Sequence, residues 1–428
     1  MESSHHNSST PVEPSQLVSW PRVAAVSAMV SFSIPTFVTG IELYNDMSLY
    51  EGLMAVIVGA ILLTVVGGLV GTIGAATRLN SYQLAQTVFG HRGASVLNLA
   101  FALSLIGWFG VNLDLFSASV NKVALATLGQ EFAPVLIEAI AGTGMTITTL
   151  YGFSAINRLA AYLVPVMIAI TAWIAFASSQ QLSISEWLSV SKSAHLSFSD
   201  GVSVIVGVII IGAIIMPDIT RFSRQLSGGV HTAFWSYGVV QTLVLLIAAF
   251  SAAAFATDDI LEVLLALGIG SAVLAVVIAG SWILNALNIY SAQLAISESF
   301  SLRSERTVTL VLGVLGMVAA FVNVLDYFIT FLSVLTAIFI PVGGIIACDY
   351  YLINKSKYSH TEIKKQIHWP ALVAWLAGAG LAVATQFFAL PSVTQVAALD
   401  AMLLTAAVYF LLCRASARHQ AAALQVKP

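Results

Sequence analysis

The sequence contains very little charge. Asp, Glu, Lys and Arg make up 9% of its 428 residues, and 58% of the residues are hydrophobic. Soluble globular domains carry about 25% charged residues, so this composition excludes a soluble protein and predicts a chain that lies in lipid over most of its length. The formal net charge of −3 is small, and no basic patch indicates a nucleic-acid partner.

Cysteine is also scarce, and the sites of several enzyme classes are missing. The two cysteines, Cys348 and Cys413, lie on or near apolar runs, which argues against a disulfide scaffold, and no metal-ligand spacing is present. The sequence contains no glycine-rich loop with a lysine of the kind that binds ATP phosphates, so ATP hydrolysis is not predicted. His91, His231 and His368 fall at the cytoplasmic ends of apolar segments, so an intramembrane enzyme would lack a base. We predict a protein that is not an enzyme, with no cofactor and no obligatory protein partner.

Long apolar segments are what the sequence does have. Twelve of them are long enough to cross a bilayer, which takes about 20 residues each. In chain order, spans 1 to 12 are predicted at residues 22–44, 52–76, 94–121, 132–153, 157–178, 201–220, 231–256, 264–297, 307–323, 326–353, 369–390 and 395–414. The polar residues 1–21 lack the features of a signal peptide, so we expect a disordered cytoplasmic N-terminal tail there, and a cytoplasmic C-terminal tail at 415–428.

The basic residues predict the orientation of these spans. If the N-terminus lies in the cytoplasm, only Lys122 and Lys192 of the 17 lysines and arginines fall outside. An excess of lysine and arginine marks cytoplasmic loops, so both termini are predicted to be cytoplasmic. We expect an integral protein of the cell membrane, either the inner or the plasma membrane.

Two spans contain residues that interrupt helices. Span 1 includes "SFSIPTFVTG" at 31–40, with Pro35 near mid-depth, and span 6 carries Gly207 and Gly212 mid-span and Pro217 near its cytoplasmic end. Interrupted helices at equivalent positions of two halves indicate a transport site, and these two are five spans apart. The alternative is that proline and glycine only kink the helices, as they often do in membranes.

Span 3 carries a pair of residues that suits a flat, hydrogen-bonding ring. Trp108 and Asn112 are four residues apart and share a helix face, so the indole could stack on a heterocycle while the amide reads its edge. Asn285 and Asn288 share a face of span 8 in the same way. For both pairs the alternative is structural: a packed tryptophan, or amides that bridge neighbouring spans.

Three stretches of the sequence resemble the nucleobase:cation symporter family one, most closely its cytosine-permease (purine-cytosine permease) branch. They are "GWFGVN" at 107–112, "PDITRFSR" at 217–224 and "FLSVLTAIFIPVGGIIACDYYLINKSKY" at 331–358. The resemblance implies an all-α polytopic membrane protein of twelve transmembrane helices, with a five-plus-five inverted-repeat (LeuT-like) transporter fold and two extra C-terminal helices. The transport core would be 22–353, with repeat one at about 22–178 and repeat two at about 201–353, and the additional helices would occupy 354–414.

The resemblance also implies a function, namely secondary active import of a nucleobase-like heterocycle, coupled to a cation gradient by alternating access. A bundle of spans 1, 2, 6 and 7 would rock against a scaffold of spans 3, 4, 8 and 9. The implied substrate-binding residues are Trp108, Asn112, Phe32, Ser33, Thr36, Ile209, Ile211 and Asn285. The alternatives are proton-coupled or uncoupled uptake of a hydantoin, hydroxymethylpyrimidine or other non-cytosine ring, or a ligand sensor that transports nothing.

The pocket residues of span 6 depart from the cytosine branch. Ile209 and Ile211 stand where that branch has an aromatic residue and a serine, and Leu105 replaces a glutamine one turn before Trp108. The ring would then lie between an indole and branched aliphatic side chains. This composition favours a less polar or bulkier ring than cytosine.

The coupling ion is implied to be Na⁺ or H⁺, and the residues argue against Na⁺. Backbone carbonyls of Met29 and Phe32 and the segment Gly280–Ser281 could contribute ligands, but Ile283 and Leu284 occupy the expected hydroxyl positions. A hard cation needs several oxygen ligands. Proton coupling would need a titrating group, and the in-span acids, with Glu42 and Asp114 first, are Glu42, Asp114, Glu138 and Asp326. All four are predicted in the outer portions of their spans, where we expect them to reach water.

Overall fold

Helices occupy nearly all of the predicted spans. The computed structural model describes residues 12–150, 153–190, 195–267, 270–300, 302, 304–358, 366–388 and 390–425. Residues 1–11 of the predicted N-terminal tail, Lys192, and residues 426–428 lie outside these ranges. Within them there is no β-strand, which confirms the all-helical class.

The first six spans are close to their predicted positions. They are Trp20–Ser31 with Ile34–Asp46 (span 1), Leu49–Thr77 (2), His91–Leu128 (3), Pro134–Leu150 (4), Phe153–Gln181 (5), and Phe198–Gly207 with Ile210–Ile214 and Pro217–Thr220 (6). Two short helices between spans, Ser81–Phe89 and Ile184–Leu188, were not predicted. Both begin with a side-chain cap, from Asn80 and Ser183 respectively, each paired with a Glu or Gln three residues on.

The other six spans include two corrections. They are Gly228–Ala233 with the π-helix Phe234–Gln241 and Thr242–Phe255 (span 7), Gly270–Phe300 (8), Glu305–Phe321 (9), Val324–Tyr327 with Phe328–Ala347 and Cys348–Ile353 (10), Trp369–Phe387 (11) and Ala397–Gln425 (12). The predicted start of span 8 at 264 is wrong, because it falls in a separate helix, Ile260–Ala266, capped by Asp259. Span 12 also continues as a helix past the predicted end at 414.

Seven helices in the described ranges are long and apolar enough to cross a membrane, and the bent pair that forms span 1 can be counted as an eighth. The count of twelve crossings stays a prediction. Spans 1, 2, 6 and 7 pack on one another, as do spans 3, 4, 8 and 9, and span 10 packs against spans 6, 11 and 12. The two groups are the bundle and the scaffold expected from the sequence.

Span 1 is broken at Phe32 and Ser33, and its two helices meet at an angle of 54°. Pro35 lies in the first turn of the second helix, where its missing N–H costs nothing. If the first helix continued through residue 35, it would need the N–H that proline lacks, and its preceding turn would collide with the proline ring. The first helix therefore ends with two hydrogen bonds of the 3₁₀ type. In these bonds the N–H groups of Phe32 and Ser33 donate to the carbonyls three residues earlier, those of Met29 and Val30, both at 3.2 Å.

Span 6 is broken at Val208 and Ile209. Ile209 has φ −132° and ψ 0°, outside the helical region, and a second interruption precedes Pro217. Gly207 ends the first helix directly against the backbone of span 10, since a Cβ placed there would lie 2.0 Å from the Leu332 carbonyl oxygen. The predicted interruptions in spans 1 and 6 are thus confirmed.

A buried carboxylate attaches the two extra spans to the core. Asp349, near the C-terminal end of span 10, accepts hydrogen bonds from the Tyr358 hydroxyl (2.5 Å), the Asn354 amide (2.9 Å) and the Tyr409 hydroxyl of span 12 (2.5 Å). On span 11, the Trp375 indole N–H donates to the Ile338 carbonyl at 2.8 Å. The "CDYYLINKSKY" motif therefore has a structural role in this fold.

Replacing Tyr409 with phenylalanine should weaken this attachment. The change leaves the buried Asp349 carboxylate with one donor fewer, and an unsatisfied buried acceptor costs about 1–3 kcal/mol. We expect a lower unfolding temperature for purified Tyr409→Phe in detergent. Tyr327→Phe is the matched control, because that ring is exposed. Equal unfolding temperatures for the two variants would contradict the anchoring role.

Candidate functional site

Trp108 lies at mid-depth of span 3, where it is buried against two rings of span 10. Its indole is packed edge-on by Phe331, with ring centroids 5.4 Å apart, and by Phe328 at 6.3 Å. Gly107 makes room for Phe331, because a Cβ there would lie 2.8 Å from the phenyl ring. Sequence reasoning missed both phenylalanines, although their spacing of three residues places them on one helix face.

Asn112 provides an open hydrogen-bond acceptor one turn from that indole. Its side chain is 1% exposed, and its amide nitrogen donates to the Trp108 carbonyl at 2.8 Å. No donor among the described residues reaches its Oδ1. A buried acceptor without a partner is costly and rare, so this oxygen is suited to accept an N–H from an incoming ring.

Asn285 and Asn288 form bridges within the scaffold. The Asn285 amide nitrogen donates to the Phe109 carbonyl of span 3 at 3.1 Å, and lies 3.4 Å from the Met145 sulfur of span 4. Its Oδ1 accepts from the Asn288 amide at 3.4 Å. For Asn285 the geometry therefore supports the bridging alternative, and the amide holds Phe109, the neighbour of Trp108, in place.

The remaining predicted pocket residues divide between two apolar clusters. Ile209 and Ile211 belong to the cluster that contains Trp108. Phe32 belongs to a second cluster with Phe37 and residues of spans 5 and 7, and Val38 and Leu115 pack against both clusters. Ser33 and Thr36 face each other across the break with hydroxyls 3.3 Å apart. The structure therefore does not place Phe32 in direct contact with the indole.

A small cavity of about 30 Å³ lies beside the break in span 1. It is lined by Phe32, Ser33, Ile34, Phe37, Met167, Ile170, Ile174, Ile260, Leu261, Leu264, Gly280 and Ser281. Its polar lining consists of Ser33 and Ser281, and the volume is enough for a water molecule. The residues named for substrate (Phe32, Ser33) and for an ion (Gly280, Ser281) thus line the same cavity.

The residues at the expected sodium position are largely apolar. Ile283 and Ala286 form a small apolar cluster with Met29 and Leu287 packed against it. The Met29 carbonyl accepts the Phe32 N–H and keeps a second lone pair, and the Ser281 hydroxyl lines the cavity beside the break. Within the described ranges no group of three or more His, Cys, Asp or Glu side chains could hold a metal ion. Binding of Na⁺ needs several oxygen ligands, and the expectation against Na⁺ coupling stays a prediction.

The acidic residues differ in burial from what was expected. Asp326 is exposed and Glu42 is half-buried, but Asp114 and Glu138 are 9% and 5% exposed, so the expectation that they reach water is wrong. The turn between spans 9 and 10, residues 322–327, lies over Asp114, whose carboxylate accepts the Leu325 N–H. The Ser117 hydroxyl is within hydrogen-bonding reach of Glu138.

A lid helix covers the cavity, on the side that is predicted to be outside. In the helix Ile260–Ala266, residues Ile260, Leu261 and Leu264 face the cavity, while Lys122 of span 3 forms ion pairs with Asp259 and, at 3.3 Å, with Glu262. Hydrogen bonds from Thr257 and Lys122 hold the pKa of the Glu262 carboxyl below its usual range. Lys122, one of the two lysines predicted outside, thus connects the lid to the scaffold.

Residues of the "PDITRFSR" motif form hydrogen bonds at the end of span 6 that is predicted to be cytoplasmic. The Arg78 guanidinium donates to the carbonyls of Arg221 (2.7 Å) and Ser223 (2.6 Å), and Asp218 accepts the backbone N–H and hydroxyl of Ser81 at 2.7 and 2.8 Å. These bonds join the end of span 6 to the loop after span 2.

Comparisons with known proteins agree with this geometry. The sequence pattern of a family described as "Permease for cytosine/purines, uracil, thiamine, allantoin" matches residues 19–412. The cytosine permeases of Escherichia coli K12 and O157:H7 are each 27% identical over 345 residues, which is 79% of this chain and 80% of theirs.

Solved structures show the same fold. Mhp1, a nucleobase-cation-symport-1 family transporter, superposes with a TM-score of 0.78 in a closed conformation with bromovinylhydantoin bound, at 18% identity and 96% coverage of both chains. The inward-facing form of Mhp1 superposes with a TM-score of 0.79 at 17% identity, with 96% coverage of both chains. A Na⁺-coupled sialic acid symporter gives 0.61 at 15% identity, covering 92% of this chain and 89% of that one.

Proposed function

Because the chain belongs to the permease family for cytosine/purines, uracil, thiamine and allantoin, we propose that it imports a nucleobase-like heterocycle by cation-coupled alternating access. The observation that carries this proposal is the pair formed by the buried Trp108 indole and the unpartnered Asn112 Oδ1. A flat ring that stacks on the indole and donates an N–H to Oδ1 would satisfy both. The interruptions in spans 1 and 6 are of the kind that marks transport sites.

The span 6 residues that are predicted to line the site favour a ring with little polar surface. Ile209 and Ile211 are both buried in the cluster that contains Trp108, and neither can hydrogen-bond to a substrate edge. Such a pocket leaves polar edge groups of cytosine without partners, which weakens binding. We therefore place cytosine below less polar or bulkier rings in the expected order of affinity, with hydantoins as candidates.

The test is counterflow in proteoliposomes that contain the purified protein. Labelled cytosine, adenine, uracil, thiamine, allantoin and hydantoin are each offered outside, with the same unlabelled compound inside. We expect saturable counterflow with at least one ring, and binding without flux would instead favour the sensor alternative. The absence of both flux and a ligand-induced thermal shift for every ring would refute the proposal.

Asn112→Leu tests the site itself. Losing the hydrogen bond that the ring donates to Oδ1 should weaken binding by about 1–3 kcal/mol, or about 5- to 150-fold, as measured by concentration-dependent thermal shift. Asn98→Leu is the matched control, because Asn98 is an equally buried asparagine of span 3 that bonds to Ser299 near the cytoplasmic end. If the two variants bind the ring equally well, Asn112 is not a substrate contact.

We also propose, from the distribution of basic residues, on which side of the membrane the two termini lie. Cytoplasmic N- and C-termini in the cell membrane leave Lys122 and Lys192 as the outer lysines, in agreement with the positive-inside rule. A reporter fused after Pro428 that is active only in the cytoplasm should be active in intact cells. An active periplasmic or extracellular reporter at that position would reverse the orientation.

A further inference from the structure

We propose that the coupling ion is a proton, and that it is held by the carboxylate pair Asp114 and Glu138 on scaffold spans 3 and 4. This inference rests on the proposed function and names its driving ion. The ring is carried unchanged. A proton from the outer side binds a carboxylate of the pair, accompanies the ring through one transport cycle, and is released to water on the inner side.

The burial of the pair is the first argument. Asp114 and Glu138 are more than nine-tenths buried, although both lie on spans that the sequence places in the membrane. One oxygen of Asp114 accepts the Leu325 N–H, but no hydrogen-bond donor among the described residues reaches its Oδ2. A buried oxygen that lacks a donor is the place where a proton can be added, since protonation turns the acceptor into a donor.

The charges around Asp114 are the second argument. The charged groups that act on it are Glu138 from span 4 and Asp326 from the 9–10 turn, and both are acidic. Glu42 of span 1 has Asp46 and Asp258 as its charged neighbours instead. In the described ranges the ion pairs are those of Lys122 with Asp259 and Glu262, so no cation is paired with Asp114 or Glu138.

Electrostatics then favour a proton on one member of the pair. The Glu138 charge acts on Asp114, and two interacting carboxylates that are shielded from water are costly to ionise together. In-membrane ionisable groups are rare for the same reason and usually serve transport. Removing the proton creates repulsion that is relieved only when the surrounding residues move or water enters.

The position of Asp114 links that proton to the substrate site. Asp114 follows Asn112 by two residues, and it bonds to Leu325 where span 10 begins. Phe328 and Phe331 lie one and two turns further along span 10 and contact the Trp108 indole. Gain or loss of the proton therefore acts on the same helix that covers the ring, which is what coupling between ion and substrate needs.

The sodium alternative is weak in this chain for an independent reason. The apolar cluster of Met29, Ile283, Ala286 and Leu287 occupies the region between spans 1 and 8 where sodium ligands were expected. A transporter driven by a cation gradient needs a site that binds the cation and releases it on one side of the membrane. Within the described part of the chain, the carboxylate pair meets that requirement better than any cluster of oxygen ligands.

The experiment measures gradient-driven accumulation in sodium-free proteoliposomes with the membrane potential held at zero. The probe is whichever of the six rings gives the fastest wild-type counterflow. With the outside more acidic by about one pH unit, 1:1 proton symport should accumulate the ring about tenfold, and a dye should report proton entry with the ring. If the wild-type protein accumulated the ring along a Na⁺ gradient and not along a pH gradient, that result would overturn the inference without any variant.

Asp114→Asn identifies the residue. This variant should equilibrate the ring without accumulating it, so that the tenfold gradient falls to about one, while counterflow stays within about threefold of wild type because exchange moves no net proton. Glu138→Gln should behave in the same way. Glu131→Gln is the matched control, because Glu131 is an exposed acid between the same two spans, and this variant should accumulate the ring normally.

The outcomes separate this inference from the proposed function. If wild type shows no counterflow with any ring, the proposed function fails. If counterflow is present but Asp114→Asn and Glu138→Gln still accumulate the ring along a pH gradient, the carboxylate pair is not the proton site. If both variants fold poorly, the wild-type measurement of proton entry against sodium entry still decides which ion is coupled.

Discussion

Replacing Trp108 with alanine is expected to abolish measurable uptake while the protein remains folded and inserted. Stacking of a base on an aromatic side chain contributes about 1–3 kcal/mol, so ring affinity should fall by about 5- to 150-fold. The change also removes the surface against which Phe328 and Phe331 of span 10 pack, so closure over the ring should suffer in addition. Counterflow and thermal-shift titration with the wild-type substrate measure the two effects.

Two further tryptophan variants make this result interpretable. Trp108→Phe keeps a flat aromatic ring at this position and should recover part of the lost affinity for the substrate ring. If residue 108 only filled space in the fold, substrate affinity would not depend on the presence of an aromatic ring there. Trp173→Ala removes an equally large side chain that is 47% exposed on span 5, and it should leave uptake unchanged. Saturable transport by Trp108→Ala at wild-type affinity would show that the indole does not bind the ring.

Replacing Gly207 with alanine should also eliminate transport, for a steric reason. The added Cβ would lie 2.0 Å from the Leu332 carbonyl oxygen and 2.8 Å from its Cα, and a backbone cannot yield as a flexible side chain can. Overpacking of this kind costs about 1–3 kcal/mol or more. Spans 6 and 10 would be forced apart beside Phe331, and we expect transport to fall at least about tenfold, with a lower unfolding temperature.

The control for this variant is a glycine with free space around it. A methyl group added at Gly380 of span 11 would meet no described atom within 4 Å. Gly380→Ala should therefore transport normally and unfold at the wild-type temperature or slightly above. Near-normal transport by Gly207→Ala would show that spans 6 and 10 can separate at this point without harm.

The residues of the two interruptions show how much of the site could be predicted. Pro35 lacks an N–H and its ring disfavours the preceding helical turn, which favours a break in span 1, although Pro165 and Pro341 lie inside continuous helices of spans 5 and 10. The pair Trp108 and Asn112 follows from helical periodicity, and burial of both agrees with that prediction. In each case the physical cause lies within a few residues of sequence.

Other parts of the site depend on contacts between distant segments. Phe328 and Phe331 cover Trp108 from span 10, more than 200 residues away in the chain, and nothing in their local pattern distinguishes them from lipid-facing rings. Asn285 was equally suited to bind substrate or to bridge spans, and only its bond to the Phe109 carbonyl distinguishes the two roles. Depth in the membrane likewise suggested that Asp114 and Glu138 reach water, whereas the folded 9–10 turn buries Asp114.

The sequence by itself determined that this protein is an all-helical membrane protein of a permease family, with interrupted spans 1 and 6, and that Trp108 and Asn112 share one face of span 3. Those features depend on hydrophobicity, proline chemistry and helical spacing, which act locally. Only the tertiary structure decided which rings cover the indole, which amide oxygens lack a partner and which carboxylates are buried. Burial and pairing are properties of neighbours in space, and chain packing brings those neighbours together.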